Sequence, residues 1–325
     1  MNVLVTGIDG FVGNHLMNAL VMNPAYKIFG TIYKPTSPPV PLQPLHPSVT
    51  VIDTDITDLQ TVKHTFDESK PEKVFHLARQ AFVPRSINDP LTTYRTNIDG
   101  TLNVLESLRL YAKEQHSPCT ALIVCSGEVY GEITPELLPV TENAPLRPAN
   151  PYAVSKACAD MLSRQYRSTY GLDIVVARPF NHLGPGQSEL FVGSAFAKQV
   201  AEIKLGIREP RMTVGNLEPQ RDFTDVRDVV LAYLQLVEKP MKYPVYNICR
   251  GQSISIREIL EILFEFGGIH PEVIPDPARI RKNEIPKIAG DSTRLFRETG
   301  WKSRIPIRQT LADLLAYWEQ RLRKA

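Results

Sequence analysis

A tyrosine and a lysine four residues apart, Tyr152 and Lys156, reach the same point when the segment between them is helical, because side chains at i and i+4 share a helix face. Asn150 is placed to cap such a helix, and Pro151 suits its first turn. A phenol ordinarily keeps its proton up to a pH of about 10, so it relays protons poorly until a nearby ammonium stabilises the phenolate. Lys156 would supply that charge. Such a pair also arises by accident, and a third group is needed to give it meaning. Ser126 is that group: it ends the apolar run Ala121-Leu-Ile-Val-Cys125, a buried strand whose carboxyl end is where parallel sheets present ligands. Together the three residues can move a proton to or from an alcohol or carbonyl oxygen.

A second device lies at the start of the chain. Residues 2–6 read as a short apolar strand, and Gly7-x-x-Gly10-x-x-Gly13 follows it and opens a helix marked by Phe11, Leu16 and Leu20. In that context Gly7 permits a tight turn, Gly10 lets the backbone approach a pyrophosphate, and Gly13 lets the helix pack on the sheet. The helix start offers unpaired N–H groups and a positive dipole end to phosphates. A nicotinamide dinucleotide held there would exchange a hydride while the phenol exchanges a proton. NAD-selective sites carry an acid at the end of the second strand, where this chain has Gly30-Thr-Ile-Tyr-Lys34. Lys34 is placed to meet a 2′-phosphate, so NADP(H) is preferred and NAD(H) is the alternative, with Lys34 then a solvated loop lysine. Asp55 and Ile56, after the third strand, are either an adenine contact or the approach to a helix cap at Asp58.

The elements that must position these groups alternate. Strand candidates at 2–6, 27–32, 49–52, 73–76, 121–125 and 173–177 are separated by helical stretches at 58–68, 91–114 and 151–170. That order predicts an α/β fold, a Rossmann-type doubly wound parallel sheet covered on both faces. Six prolines between Pro35 and Pro47 exclude regular helix or central strand there and predict an irregular loop beside the cofactor. After Arg178 the segment Phe180-Asn-His-Leu-Gly-Pro-Gly-Gln187 has the composition of a binding loop. A smaller α/β substrate-binding domain is expected to begin here. Helix 226–238 and strand 245–249 should return to the first domain, and helices 256–266 and 307–322 should complete the second. The expected division is therefore interleaved: 1–177 with 225–249, and 178–224 with 250–325.

Composition narrows the partners. The 325 residues are 43% apolar and 22% charged, with a formal net charge of +2, and no basic run is interleaved with aromatics. Nucleic acid is not an expected partner. No apolar run reaches the roughly 20 residues that span a bilayer, and the N-terminus runs straight into a strand, so no membrane association is expected. Four cysteines without C-x-x-C spacing fit a reduced, cytoplasmic compartment, and seven scattered histidines give no metal site.

Five segments carry a resemblance that covers nearly the whole length: the turn Thr6–Gly13, Asn97-Ile-Asp-Gly-Thr101, Ser126-Gly-Glu-Val-Tyr-Gly131, Tyr152–Lys156 and Arg178-Pro-Phe-Asn181. The chain resembles the extended short-chain dehydrogenases/reductases of the nucleotide-sugar-modifying branch. Within that branch, residues 180–187, Val214-Gly-Asn-Leu-Glu218 and Arg221-Asp-Phe-Thr-Asp-Val-Arg-Asp228 are most similar to GDP-4-keto-6-deoxy-D-mannose reductases, with GDP-mannose 4,6-dehydratases as the sister group. The resemblance implies hydride transfer from NADPH to carbon 4 of a GDP-linked 4-keto-6-deoxy sugar while Tyr152 donates the proton. Ser126 would bond the reacting oxygen, Lys156 would hold the nicotinamide ribose, and Asn97 would complete a proton path or simply bond backbone at a helix irregularity. Phe11, Val12, Leu77, Ala78, Arg79 and Pro179 fall at cofactor positions beside the three glycines.

Substrate positions follow in the same way. Ser86, Asn181, Val192, Val214, Arg221, Arg281 and Glu284 match places that contact the nucleotide sugar, the arginines as diphosphate forks and Glu284 on ribose hydroxyls. Lys198 is either a third phosphate contact or a solvated helix lysine. The element ending at Glu218 implies guanine. A homodimer through the helices carrying Asn97 and Tyr152 is also implied, although Leu102, Leu105 and Leu108 serve equally as core.

Two departures bear on the reaction. Dehydratases acting on dTDP-sugars carry an aspartate after the catalytic hydroxyl residue; this chain has Gly127 there, while Glu128, the acid that removes the carbon-5 proton in dehydratases, is retained. Arg79 stands where the family usually carries a small residue, and is expected to reshape contacts to the pyrophosphate or the sugar pocket. The expected activity is therefore 4-keto reduction, giving GDP-D-rhamnose. The alternatives are a 4,6-dehydratase or 4-epimerase that recycles its cofactor internally, and a non-enzymatic dinucleotide sensor.

Overall fold

Near-continuous burial along short apolar runs, the pattern of strands covered on both faces, builds the central sheet. The computed structural model describes residues 1–33, 44–115, 118–279 and 285–324. Its strands are β1 (Asn2–Thr6), β2 (Lys27–Ile32), β3 (Val49–Asp53), β4 (Lys73–His76), β5 (Thr120–Val124), β6 (Asp173–Pro179), β7 (Asn181–Leu183), β8 (Arg211–Val214), β9 (Gln220–Asp225), β10 (Val245–Ile248), β11 (Ser253–Ser255) and β12 (Glu272–Pro275). Seven of them form one sheet in the order β10-β6-β5-β4-β1-β2-β3, with every neighbouring pair parallel. The order runs outward in both directions from β1, so the crevice at the carboxyl ends of β1 and β4 is the topological switch point. This is a Rossmann-type doubly wound sheet.

The helices are α1 (Phe11–Leu20), α2 (Leu59–Ser69), α3 (Val83–Asn88), α4 (Pro90–Tyr94), α5 (Gly100–Gln115), α6 (Pro151–Tyr170), α7 (Val192–Lys204), α8 (Val226–Leu236), α9 (Ile256–Gly267), α10 (Thr293–Thr299) and α11 (Ile307–Lys324). One face of the sheet buries Leu16, Val229 and Tyr233 from α1 and α8, and the other buries Phe66, Leu105 and Leu108 from α2 and α5. Leu105 and Leu108 are thus core residues of the single chain, with Leu102 packed against them.

Two small sheets, β11-β9-β7 and β12-β8, carry a separate apolar core with α7, α9 and α11, in which Phe196, Phe223, Leu263 and Trp318 meet. Between the two small-sheet segments the chain crosses back, and β10 pairs with β6 at the edge of the large sheet.

The structure differs from expectation in one place that matters for the site. A single helix was predicted over 91–114, but the segment is broken into α4, a π-helical turn at Arg95–Asp99, and α5. The wider turn rotates Asn97 inward, where it is 1% exposed. The predicted proline loop lies mostly outside the described residues. Among the described residues, no helix is long and apolar enough to cross a membrane, and no group of side chains is arranged to hold a metal ion.

Candidate active site

Thr6 closes β1, and its Oγ1 accepts the backbone N–H groups of both Leu77 and Ala78 at 3.2 Å. This ties the start of the glycine turn to the end of β4. Gly7 then turns with φ +68°, and a Cβ there would meet Ala78 Cα at 2.9 Å; a Cβ on Gly13 would lie 2.4 Å from the Gly7 carbonyl. A Cβ on Gly10 would meet the Gly7 carbonyl at 3.3 Å, closer than ordinary van der Waals contact. Gly10 caps α1 with no side-chain bond, which leaves the first amides of the helix, at Phe11, Val12 and Gly13, without a capping acceptor. An uncapped helix start behind a glycine cradle fits a dinucleotide pyrophosphate. Phe11 extends the cradle toward the second core, lying against His15 edge-on and against His182 in parallel, with ring centroids 5.4 and 6.1 Å apart.

Beyond the cradle the expected adenine end is only partly available. Asp55 spends its carboxylate on the Thr57 amide and hydroxyl, while Asp58 caps α2 through the Gln60 amide. Ile56 is 7% exposed in the core, and its carbonyl accepts from Asn103. Lys34 lies outside the described residues.

At the carboxyl end of β5, Ser126 caps a single 3-10 turn, Gly127–Tyr130, by accepting the Glu128 amide at 3.2 Å. Across from it, Asn150 accepts the Ala153 amide and Pro151 opens α6, as the sequence predicts. Tyr152 and Lys156 are 6% and 2% exposed, and the Tyr152 phenol hydrogen-bonds Ser126. Burial pushes that phenol above its ordinary value of 10.0; the Arg79 guanidinium and the Ser126 bond act downward, Glu128 and Cys125 upward. Burial lowers the Lys156 ammonium to about 8, with Cys125 and Asp160 opposing the fall and Arg79 adding to it. Lys156 and Tyr152 are buried together on one face of α6, one turn apart.

Asn97 is fully engaged: its Oδ1 accepts the Gln80 amide at 2.9 Å, and its Nδ2 donates to the Gln80 carbonyl and to Ser155 Oγ at 3.0 and 2.9 Å. It fastens the segment after β4 to the first turns of α6. Ser86 is 0% exposed, donates to the Val83 carbonyl and accepts the Tyr152 amide at 3.2 Å. A substrate contact by resemblance, it lies here against the backbone at the start of α6.

Other predicted substrate positions separate in the same way. Val214 is 1% exposed within the second core. Lys198 is occupied by Glu189 and Glu202 and lies over Trp318. Asn181 is exposed at the start of β7, and Val192 stands 37% exposed at the first turn of α7, whose cap Phe191 makes no side-chain bond. Arg221 lies in β9 with its Nη1 on the Gln220 carbonyl. Glu218 pairs with Arg257 on the surface. Arg281 and Glu284 lie outside the described residues.

The structure also reveals positioning groups that the sequence reading missed. Asp160, one turn beyond Lys156, is 0% exposed and receives Arg178 Nε at 2.8 Å and Nη2 at 3.1 Å, while Arg164 Nε reaches it at 2.7 Å. Tyr152, Lys156, Asp160 and Arg164 are a run at spacing four, and that repeat was the available signal. Asp222 accepts three amides, from Arg250, Gly251 and Gly290, and so joins β9 to the segments after β10 and before α10. His76 is 2% exposed between Thr6 Oγ1 at 2.8 Å and Thr101 Oγ1 at 3.1 Å. Because the Thr101 hydroxyl gives its one proton to the Asn97 carbonyl at 2.7 Å, it accepts from His76, which places the imidazole proton on Nε2 and leaves Nδ1 to accept from Thr6.

Burial holds His76 neutral, lowering it from 6.5 to about 3, with Lys156 and Arg79 adding to the fall. As pH falls below 6.5 the unfolded chain takes up the proton that the folded chain refuses, so stability declines down to about pH 3. The decline from this residue alone is about 1.4 kcal/mol per pH unit. Urea titrations between these limits should differ in slope by that amount between wild type and His76→Leu, with the variant costing about 1–3 kcal/mol at neutral pH. An unaltered slope in the variant would assign the acid sensitivity elsewhere.

A family model described as GDP-mannose 4,6 dehydratase matches residues 4–314. The GDP-6-deoxy-D-mannose reductase of Pseudomonas aeruginosa is 38% identical over 322 residues, covering 99% of this chain and 98% of that one. A GDP-6-deoxy-D-talose 4-dehydrogenase of Aggregatibacter actinomycetemcomitans is 30% identical over 304 residues, covering 92% of each. Among solved structures, that of RMD from Pseudomonas aeruginosa complexed with NADPH superposes with a TM-score of 0.84 at 36% identity, covering 99% of this chain and 100% of that one. With its glycine cradle, its Ser126, Tyr152 and Lys156 set and a match spanning nearly its whole length, the chain belongs to the GDP-mannose 4,6 dehydratase family of extended short-chain dehydrogenases/reductases.

Proposed function

We propose that this protein reduces the 4-keto group of GDP-4-keto-6-deoxy-D-mannose with NADPH, giving a GDP-6-deoxyhexose, GDP-D-rhamnose. The observation that carries the reading is at Gly127. A Cβ there would sit 3.0 Å from the Phe180 ring, so the position that holds a dehydrating acid in dTDP-sugar dehydratases is both empty of an acid and bordered by a fixed aromatic. The full-length similarity to a reductase acting on a GDP-6-deoxy sugar supports the same choice.

The chain's own groups do the following. The amides at the start of α1 and the glycine cradle hold the pyrophosphate of NADPH, which when bound supplies the hydride. Ser126 and Tyr152 converge on the keto oxygen; as the carbonyl carbon gains the hydride, its oxygen takes the phenolic proton, and the phenolate is reprotonated from solvent through the site. Lys156 orients the nicotinamide ribose. Asn97 and Ser86 hold the two backbones that aim these side chains. Asn181, the open first turn of α7 at Val192, Arg221, Arg281 and Glu284 grip the nucleotide, with Lys198 joining only if it leaves Glu189 and Glu202.

The two cores support a division in which 1–177 with 225–249 binds the cofactor and 178–224 with 250–325 binds the nucleotide sugar. Ile87, Leu91 and Met161, 56%, 69% and 59% exposed on α3, α4 and α6, support a homodimer formed on that side. Four free cysteines support a reducing, cytoplasmic location.

A second reading, a dehydratase or 4-epimerase with internally recycled cofactor, is favoured by Glu128, whose charge reaches Tyr152. Mixing the protein with NADPH and the GDP-linked keto sugar decides between them. Reduction is expected to consume one NADPH per sugar, followed by loss of reduced-nicotinamide absorbance; conversion of GDP-mannose without net NADPH loss would establish the second reading instead.

A further inference from the structure

Two helices at the site begin on an aromatic residue where a short polar side chain is the ordinary choice. Phe82 is the N-cap of α3 and Phe191 the N-cap of α7, and neither makes a side-chain capping bond. Both are half-buried, and neither belongs to an apolar core among the described residues. They meet each other instead, edge to face, with ring centroids 6.0 Å apart and planes at 75°. Phe82 follows β4 of the large sheet, whereas α7 packs in the second core, so this contact ties the two units together.

Both ends of the contact are braced. The Gln80 side chain grips the Phe82 backbone, accepting its amide and donating to its carbonyl at 3.1 Å, and the Gln80 backbone is itself held at amide and carbonyl by Asn97. The Phe82 carbonyl also accepts the Ser86 amide at 3.2 Å, and Ser86 Oγ accepts the Tyr152 amide. On the other side, the Phe191 amide donates to the Ser188 carbonyl at 3.1 Å, and the Phe191 carbonyl accepts the Ala195 amide at 2.8 Å. A run of contacts therefore leads from the Tyr152 backbone through Ser86, Phe82 and Phe191 to the first turn of α7.

We propose that Phe82 and Phe191 form a clasp that sets the substrate-binding unit at its working distance from Tyr152. The proposal rests on the reductase reading, in which the nucleotide is gripped from the start of α7 while the keto carbon must arrive at the phenol on α6. A sugar anchored on one unit and reacting on the other is aligned only as well as the two are held, and small misplacements at the reacting atoms cost rate steeply. Both phenylalanines act through the groups they hold, as positioning residues.

Hydrogen exchange reads the clasp without turnover. Phe82→Ala should speed exchange of the Ala195 amide about tenfold, although the two residues lie in different units, and Phe191→Ala should do the same at the Ser86 amide. In steady state each variant should lower kcat for the GDP-linked keto sugar about tenfold, with NADPH binding, followed by fluorescence, within about twofold of wild type. The double variant should be no slower than either single one, because one contact is lost in all three. Phe191→Tyr, which keeps the ring, should restore most of the rate.

Unchanged exchange at Ala195 and Ser86 would overturn the proposal, as would losses that multiply in the double variant, or a change confined to KM, which is the signature of a wall that only binds. Failure of the reductase reading would appear separately, as variants that shift both exchange rates while the wild-type protein consumes no NADPH.

Discussion

Tyr152→Phe should lower turnover of the GDP-linked keto sugar about a hundred- to ten-thousand-fold while leaving NADPH binding within a few-fold of wild type. The size follows from what is removed. The substitution takes away one oxygen, whose only described partner is Ser126, and leaves the ring in a site that is 6% exposed. Ser126 keeps its bond to the Glu128 amide, and the Tyr152 amide keeps Ser86, so neither the 3-10 turn nor the start of α6 loses its anchor. Hydride addition places negative charge on the substrate oxygen, and water in a closed site substitutes poorly for a positioned phenol in neutralising it. Steady-state rates with fluorescence titration of NADPH check the result. A fall of less than about tenfold would remove Tyr152 from proton donation.

Arg178→Met should destabilise the fold by about 3–5 kcal/mol, the largest effect on stability expected of any single change considered for this site. Arg178 and Asp160 have side chains 3% and 0% exposed, and their pairing is two-pronged. Arg178 also donates to the Tyr130 hydroxyl at 2.9 Å, which in turn donates to Asn247 on β10 at 2.6 Å. Among the described residues, removing the guanidinium leaves a buried carboxylate facing Arg164, itself 39% exposed, and removes the side-chain bonds that join β6 to α6 and to the 3-10 turn. Equilibrium denaturation measures the loss. Adding Asp160→Leu should recover part of it by taking away the stranded charge; a single variant within about 1 kcal/mol of wild type would show that water or Arg164 already satisfies Asp160.

The contrast between these residues explains what could be read from the sequence. Gly7, Gly10 and Gly13 sit in one turn, and Tyr152 and Lys156 on one helical face, so local geometry alone relates them. Alternating apolar runs were sufficient for the parallel sheet because each strand is buried on both sides. Asp160 with Arg178, His76 between Thr6 and Thr101, and Asp222 with Gly290 are joined across the sheet or between the two cores, where no local spacing encodes the pairing. The apolar pattern through 91–114 is that of an ordinary helix, so only the resemblance pointed to an irregularity at Asn97, whose inward rotation is held by tertiary bonds to Gln80 and Ser155. Ile56 and Val214, both read as ligand positions, have side chains that belong to the two cores.

Phe180 occupies a narrow slot: its ring would lie 3.0 Å from a Cβ at Gly127 and 2.6 Å from one at Gly290, and it leans on Tyr130 at 6.1 Å between centroids. A side chain at 127 could be seated only by moving the ring, and the ring has no room to move toward Gly290, so positions 127, 180 and 290 constrain one another although they are far apart in the chain.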